Sequence, residues 1–465
     1  MPPATSPTAE DERAVRGRVL ALVRRHGWNA TSFQVLEGGY HYWFDGDDAC
    51  VAYVDTGTAW VAAGAPIAAG ERIGGVARAF VSAAAAARRG ACFFATEDRF
   101  VAAEGLKHLL IGEQPVWDPR RWRSTVQQTP SLREQLRRAR AKGVRVSAVP
   151  PEEYALGSPL RASIEALIAR WQGSKAMPPM GFLVRVEPFE LAAERRLFVA
   201  RIDAGGAPQV VGFAAVVPVY ARNGWFIDDL IRAPAAPNGT TESLVDAAMN
   251  DAAASGSDYL TLGLSPLAGD VAPSLSWARR YATPLYDFRG LRAFKAKLRP
   301  ERWTPIHLSY PVGQTAFGAV YQSLRAFAQR GLWRYGLETL LRGPDVVLRA
   351  LALLLVPWTL LLASLPSERW FPAGWVQWAW VGFDLALAAA LLVSMRGFRP
   401  RLSRWIVVAV SLDACITSVQ AVVFNLRRIG GWVDAAGVLS AVLAPLVASF
   451  ILANAHRRMR RVYGH

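Results

Sequence analysis

Residues 225–242 read WFIDDLIRAPAAPNGTTE, a β-prone run ending in Asp228-Asp229-Leu230-Ile231-Arg232. A proline-rich turn follows, and Asn238-Gly239-Thr240 opens a helical pattern. A carboxylate and a guanidinium three positions apart offer a general base and an anion clamp. Asn238 is expected to cap the helix, because its side chain can accept the free amides of the first turn. A helix start after a strand is also an anion site through its unpaired N–H groups and its dipole. The hydroxyls of Thr240 and Thr241 would add donors there. The same Asp–Arg spacing also suits a plain structural ion pair.

Two further stretches carry chemistry. Residues 259–269, YLTLGLSPLAG, run a strand into a Gly/Ser/Pro loop that places Ser265 at a possible substrate edge. Residues 285–305, LYDFRGLRAFKAKLRPERWTP, hold Arg289, Arg292, Lys295, Lys297, Arg299 and Arg302. Arg292, Lys295 and Arg299 are three and four apart and share one helical face. The chain has five lysines, so two of them in F-K-A-K stand out. Such a face is either solvated or in contact with phosphates, from nucleic acid or lipid head groups. Residues 131–146, SLREQLRRARAKGVRV, form a second basic amphipathic pattern, with Leu132, Leu136 and Ala139 as its apolar stripe. The six histidines and three cysteines show no ligand spacing, so no metal is expected.

These segments need a frame. The chain has 465 residues, a formal charge of +16 and 52% hydrophobic residues. That excludes a disordered chain, and a soluble enzyme of ordinary composition would be neither so basic nor so apolar. The apolar excess is concentrated after residue 345. Residues 350–366, 374–395, 405–424 and 432–455 are each close to the roughly 20 apolar residues that cross a bilayer. Arginines gather before the first span, between the second and third, and after the fourth. The positive-inside rule then puts the large N-terminal part and the C-terminus in the cytoplasm at the cell (inner) membrane. Residues 1–30 contain no apolar core of signal-peptide length. Asp384 and Asp413 fall inside spans, where acids are costly and either pair across the bundle or serve a function.

Before residue 313 strands and helices alternate. Strands are expected at 33–37, 49–55, 58–64, 91–95 and 144–148, and again at 197–203, 209–220, 224–231, 258–264 and 285–288. Helical patterns fall at 74–89, 131–142, 160–172, 239–255 and 290–298. The order suggests two similar halves of α+β layering. Residues 313–345 read as an amphipathic linker, suited either to an anionic membrane surface or to packing on the preceding part.

Taken together the motifs resemble a known family. They are W-V-x-x-G-x-P at Trp60–Pro66, a basic helix before G-V-R-V, W-x-x-x-K at Trp171–Lys175 before Gly181-Phe182, and D-L-I-R…A-P-N-G-T at Asp229–Thr240. L-G-L-S-P-L at Leu262–Leu267 and L-Y-D-F-R-G-L-R-A-F-K-A-K…P-x-x-W-x-P at Leu285–Pro305 complete the set. This is similar to the C-terminal catalytic domain of the multiple peptide resistance factors, the phosphatidylglycerol lysyl- and alanyltransferases. The resemblance covers about residues 30–310. It implies tandem GNAT-like (acetyltransferase-like) halves, at 1–150 and 151–312, the second carrying the active site. The linker 313–345, four transmembrane helices over 346–456 and a basic tail 457–465 would follow.

The resemblance further implies transfer of an aminoacyl group from charged tRNA to phosphatidylglycerol or a related anionic lipid, with no cofactor beyond that co-substrate. Asp229 and Arg232 match the family's Asp-x-x-Arg and become candidate catalytic residues. Asn238, Gly239, Thr240, Ser265, Arg292, Lys295 and Lys297 become candidate substrate-binding residues. Two departures are visible: no large membrane domain precedes the matching part, and four spans follow it. Other readings stay open. Arg72-x-x-Gly75-x-Ala77 fits an acetyl-CoA loop pattern, which would suit a GNAT-like acyltransferase with an acyl-thioester donor. A double fold of this kind can also serve as a non-enzymatic ligand-binding module.

Overall fold

The computed structural model describes residues 9–268 and 287–463, apart from 205, 330, 344, 396 and 397. These fall into two compact units. One runs to Leu332, and the other begins at Trp333 and takes in Gln172–Pro178. In chain order the first unit contains α1 (Ala9–His26), β1 (His41–Phe44), β2 (Cys50–Asp55), β3 (Ala59–Ala63), α2 (Ile73–Ala86), β4 (Gly90–Thr96), β5 (Leu106–Trp117), α3 (Pro130–Ala141), β6 (Arg145–Val149) and α4 (Pro159–Ser174). It continues with β7 (Arg196–Ala204), β8 (Ala207–Val219), β9 (Gly224–Arg232), α5 (Thr240–Ala254), β10 (Tyr259–Thr261), β11 (Ser265–Pro266), α6 (Phe288–Lys297), β12 (Arg302–Pro311) and α7 (Ala316–Ala328).

The strands form one sheet in the order β1-β2-β3-β4-β12-β5-β10-β9-β8-β7-β6, with β11 on β5. Among the described residues parallel pairing occurs twice, β3 with β4 across α2 and β9 with β10 across α5. That is the same strand–helix–strand unit in each half. The halves then exchange strands. β12, from late in the chain, lies beside β4, and β5, from early in the chain, lies beside β10. β5 and β12 pair along their whole length and weld the sheet. A cut near residue 150 therefore separates the sequence but not the sheet.

The expected strand at 33–37 is instead two short 3-10 turns, Ala30–Ser32 and Gln34–Leu36. Phe33, Val35 and Leu36 are all buried, so the segment has no solvent face for a strand to alternate against. β5 and β12 were not expected, since Gly112, Pro115, Pro305 and Pro311 break their apolar pattern. Of the expected strand at 285–288, residues 285 and 286 lie outside the described residues, while Asp287 caps α6 and Phe288 begins it. The expected linker divides in two. Through Ala319, Ser323 and Ala326, α7 joins the core of the first unit, with Phe317, Tyr321 and Leu324 facing outward.

The second unit starts with α8 (Leu332–Leu341). Tyr335 Oη donates to the Pro178 carbonyl at 3.2 Å, and Arg342 to those of Gln172 and Met177 at 3.1 Å. Four helices follow: α9 (Asp345–Ser364), α10 (Gly374–Ser394), α11 (Pro400–Gln420) and α12 (Trp432–Tyr463). All four are long and apolar enough to cross a membrane. Ala352, Leu387, Leu391, Ile406, Val410 and Leu452 make their shared core, while Leu353, Leu360, Trp378 and Val422 point outward. An α+β double fold followed by four apolar helices is the architecture that the sequence led us to expect.

Candidate active site

The site begins with a register shift. Asp229 pairs with Ala215 and Ile227 with Val216, so Asp228 has no residue opposite it. A bulge of this kind resets the alternation of side chains. Trp225, Ile227 and Leu230 pack with α3 and α5 on one face of the sheet. Phe226 and Ile231 belong to cores on the other face. Asp228 and Asp229, between them, both emerge on that second face.

There they meet residues from two distant segments. Arg195 donates to Glu37 Oε1 at 2.6 Å, to Asp228 Oδ2 at 3.3 Å and to the Glu190 carbonyl at 2.7 Å. Gln34 Nε2 donates to Asp228 Oδ1 at 2.7 Å and to the Leu183 carbonyl at 2.9 Å. The side chains of Arg195 and Glu37 are 1% exposed and that of Asp228 4%. Two carboxylates thus contact one guanidinium, a third, Asp229, lies near enough to feel its charge, and with almost no water they cannot all stay ionised. Burial, then the neighbouring Asp228 charge, pushes Glu37 up to about 9. The same causes raise Asp229 well above the usual carboxylate range. Burial also raises Asp228, against the pull of Arg195. Glu37 Oε2, Tyr40 Oη and Asp229 Oδ2 are buried with no hydrogen-bond partner among the described residues. A carboxyl with a spare oxygen can, in its ionised form, take a proton from a bound hydroxyl.

The remaining expected site residues do not all join this cluster. Arg232 falls on the Leu230 side of the strand by alternation and donates to the Ala236 carbonyl at 3.2 Å, so it holds the turn. Asp229 and Arg232 are therefore not a facing pair. Nor is Asn238 the cap expected: Gly239 occupies that position and no side chain caps the helix. Thr240 is fully buried, and its hydroxyl donates to the Pro237 carbonyl at 2.7 Å. A Cβ on Gly239 would meet Gln135 O at 2.8 Å and Ala139 Cβ at 2.9 Å, so the start of α5 is pressed against α3. Gly239 also has φ +94°. Gly239→Ala is expected to lower stability by about 1–3 kcal/mol, seen as an earlier chemical-unfolding midpoint.

Lys295 is buried, and its ammonium donates to the carbonyls of Gly263 at 2.8 Å and Leu264 at 2.9 Å. It pins the L-G-L-S-P-L loop instead of facing solvent. Gly263 in that loop has φ +67°, and a Cβ there would strike the Phe226 ring at 2.6 Å. Ser265 is buried on β11 beside Glu113 of β5, and its hydroxyl has no partner among the described residues. Burial lowers Lys295 to about 7. The unfolded chain then binds a proton that the folded chain does not, from about pH 10.4 down to about pH 7. Stability is expected to rise with pH across that window, and Lys295→Met to remove the slope from a plot of unfolding midpoint against pH.

Arg292 pairs with Glu113 at 2.6 Å and lies over the Trp303 ring. Lys297 reaches Glu242, at the start of α5, at 3.4 Å. Both keep about two fifths of their side chains exposed. Arg137, Arg138 and Arg140 on α3 are about two-thirds exposed despite their carboxylate partners. Arg72, the first residue of the acetyl-CoA-like pattern, pairs with Asp45 and Asp48. No group of three or more metal-ligating side chains occurs among the described residues. Glu37 and Arg195 are the site residues that the sequence concealed. Glu37 lay in an apparent strand and Arg195 in an ordinary E-R-R run, and no local signal brings them together.

A double α+β sheet with exchanged strands, joined to a unit of four membrane-length helices, defines the class. Residues 20–310 match the family model described as phosphatidylglycerol lysyltransferase, C-terminal, and the chain belongs to that family. A 110-residue stretch is 33% identical to the phosphatidylglycerol lysyltransferase of Bacillus subtilis; it covers 22% of this chain and spans only 13% of that relative. Among solved structures, the fold resembles the C-terminal domain of a protein assigned as a lysylphosphatidylglycerol synthetase from Agrobacterium fabrum. The TM-score is 0.58 at 21% identity, covering 68% of this chain and 96% of that one. It equally resembles L-PGS from Bacillus licheniformis, with a TM-score of 0.58 at 20% identity over 67% and 96% of the two chains.

Proposed function

We propose that this chain is a membrane-bound aminoacyltransferase that moves an aminoacyl group from charged tRNA to the head group of phosphatidylglycerol or a related anionic lipid. The observation that carries this reading is the family match over residues 20–310. The buried cluster supplies fitting chemistry. A lipid hydroxyl attacks the ester carbonyl of the aminoacyl-tRNA, and Asp229 takes the hydroxyl proton. The tetrahedral intermediate collapses, the ester bond to the ribose breaks, and the ribose oxygen leaves with a proton. The new ester joins the amino acid to the lipid. Burial, then the neighbouring Asp228 charge, raises the basicity of Asp229, against the pull of Arg195.

The exposed arginines of α3, with Lys297 and Arg292, offer cations to RNA and lipid phosphates. Lys295, Gly239 and Thr240 shape the loop and the helix start. The clustering of arginines before the first span, between the second and third and after the fourth supports a cytoplasmic side for the first unit and the C-terminus. The test uses the purified full chain in liposomes containing phosphatidylglycerol, with charged tRNA carrying a labelled amino acid. Label is expected in the lipid fraction and is expected to vanish after RNase treatment. Transfer that survives RNase but needs an acyl thioester would replace this reading with the thioester one.

A further inference from the structure

The four-helix unit has a polar seam that aminoacyl transfer in the first unit does not use. Asp384 is the eleventh of 21 residues of α10, so it sits about 15 Å from either end. Asp413 lies at the middle of the span Pro400–Arg428. Their helices share a core through Leu387 and Leu391 on α10 and Ile406 and Val410 on α11, and the Asp413 charge acts on Asp384. Asp384 is 5% exposed, and its Oδ2 has no hydrogen-bond partner among the described residues.

The hydroxyls around them are oriented differently. Thr417 donates to Asp413 Oδ1 at 2.9 Å, which suits a charged carboxylate. The Thr359 hydroxyl is a neighbour that acts on Asp384, but its own proton is donated to the Leu355 carbonyl at 2.6 Å. Towards Asp384 it therefore offers only a lone pair, the complement of a protonated carboxyl or of a cation.

Among the described residues no counter-charge stands at this depth. Among the described residues of the four helices, basic side chains stand only near the ends: Arg349 on α9, Arg401 and Arg404 on α11, and His456 through Arg461 on α12. His456 is paired with Ser403 at 3.0 Å. Asp434, the remaining acid of α12, is paired with Arg369 at 2.6 Å outside the seam. An uncompensated carboxylate pair in the centre of a bilayer is strongly disfavoured. The missing positive charge has to come from outside the chain.

We propose that Asp384 and Asp413, with Thr359 and Thr417, form a site at the middle of the membrane unit that binds a proton or one small monovalent cation. All donors are hard oxygens, as such a cation requires. The site stands apart from the transferase reading, since neither its residues nor its test involve aminoacyl transfer.

A hydrophobic carbodiimide tests it. The reagent needs a protonated carboxyl: the acid O–H adds across a C=N bond, and the adduct rearranges to a stable N-acylurea. Full-length protein in phosphatidylglycerol-containing nanodiscs would be treated from about pH 5 to pH 9 and the adduct located by peptide mass spectrometry. An adduct on Asp384 is expected at neutral pH, fading as the pH rises. Asp413→Asn removes the neighbouring negative charge, so the half-labelling pH of Asp384 is expected to fall by about one unit or more. Slower labelling with added Na⁺ would assign a metal cation, and indifference to Na⁺ a proton alone. Absence of an Asp384 adduct at every pH, while the denatured chain labels, would overturn the proposal. So would a half-labelling pH that Asp413→Asn leaves unmoved.

Discussion

Asp229→Asn is expected to lower the rate of lipid aminoacylation by about 10²–10⁴-fold, the range that a positioned general base contributes. The amide keeps the shape of the carboxyl but cannot accept the hydroxyl proton. Lipid binding and fold are expected to persist, so the loss falls on kcat. Stability moves the other way. Burial and the Asp228 charge raise the proton affinity of Asp229 in the folded state. Such a carboxyl stabilises the fold below the unfolded value near pH 4, and this contribution is lost as pH rises through the folded value. At neutral pH the Asn variant should therefore be as stable as the parent or more so, with the advantage disappearing in acid. Labelled-lipid formation and unfolding midpoints at two pH values read both effects. A folded variant that transfers at the parental rate would remove Asp229 from the site.

Arg195→Met is expected to cost about 3–5 kcal/mol at neutral pH, the usual penalty for removing one partner of a buried ion pair. The guanidinium is the counter-charge that Glu37 and Asp228 both contact, and it also satisfies the Glu190 carbonyl. Methionine fills the space but leaves two carboxyls facing each other. As the pH falls these carboxyls take up protons, so part of the loss is expected to return in acid. Denaturant titration followed by tryptophan fluorescence, with Trp117 and Trp122 buried in the first unit, measures it. A loss under about 1 kcal/mol, or one equal at pH 5 and pH 8, would show that the cluster does not depend on this charge. Arg195→Lys is expected to recover only part of the stability, since one ammonium cannot span the two carboxylates as the fork does.

Much of this was legible in the chain. The spans were plain because a run of some 20 apolar residues has little other use, and α2, α3, α4, α5 and α6 fell close to where apolar periodicity put them. Asp229 stood out because two adjacent acids lie near the end of a β-run that leads into a proline-rich turn. Its supposed partner did not follow, since three positions along a strand reverse the face that a side chain occupies, and Arg232 sits at the turn. β5 and β12 were hidden by glycine and proline, which a strand tolerates only once its neighbours are known.

The sequence by itself determined most of the helices, though not Ala9–His26, which segments are long and apolar enough to cross a membrane, and which motifs carry the family likeness, because each depends on neighbours within a few turns of the chain. Tertiary structure alone decided the rest. A one-residue bulge turned Asp228 and Asp229 to one face, strand exchange joined the halves, and folding brought Glu37 and Arg195, 158 positions apart, within 2.6 Å. Such contacts are set by pairing register and burial across long chain separations, and the energy of a buried charge depends on what surrounds it, not on what adjoins it in sequence.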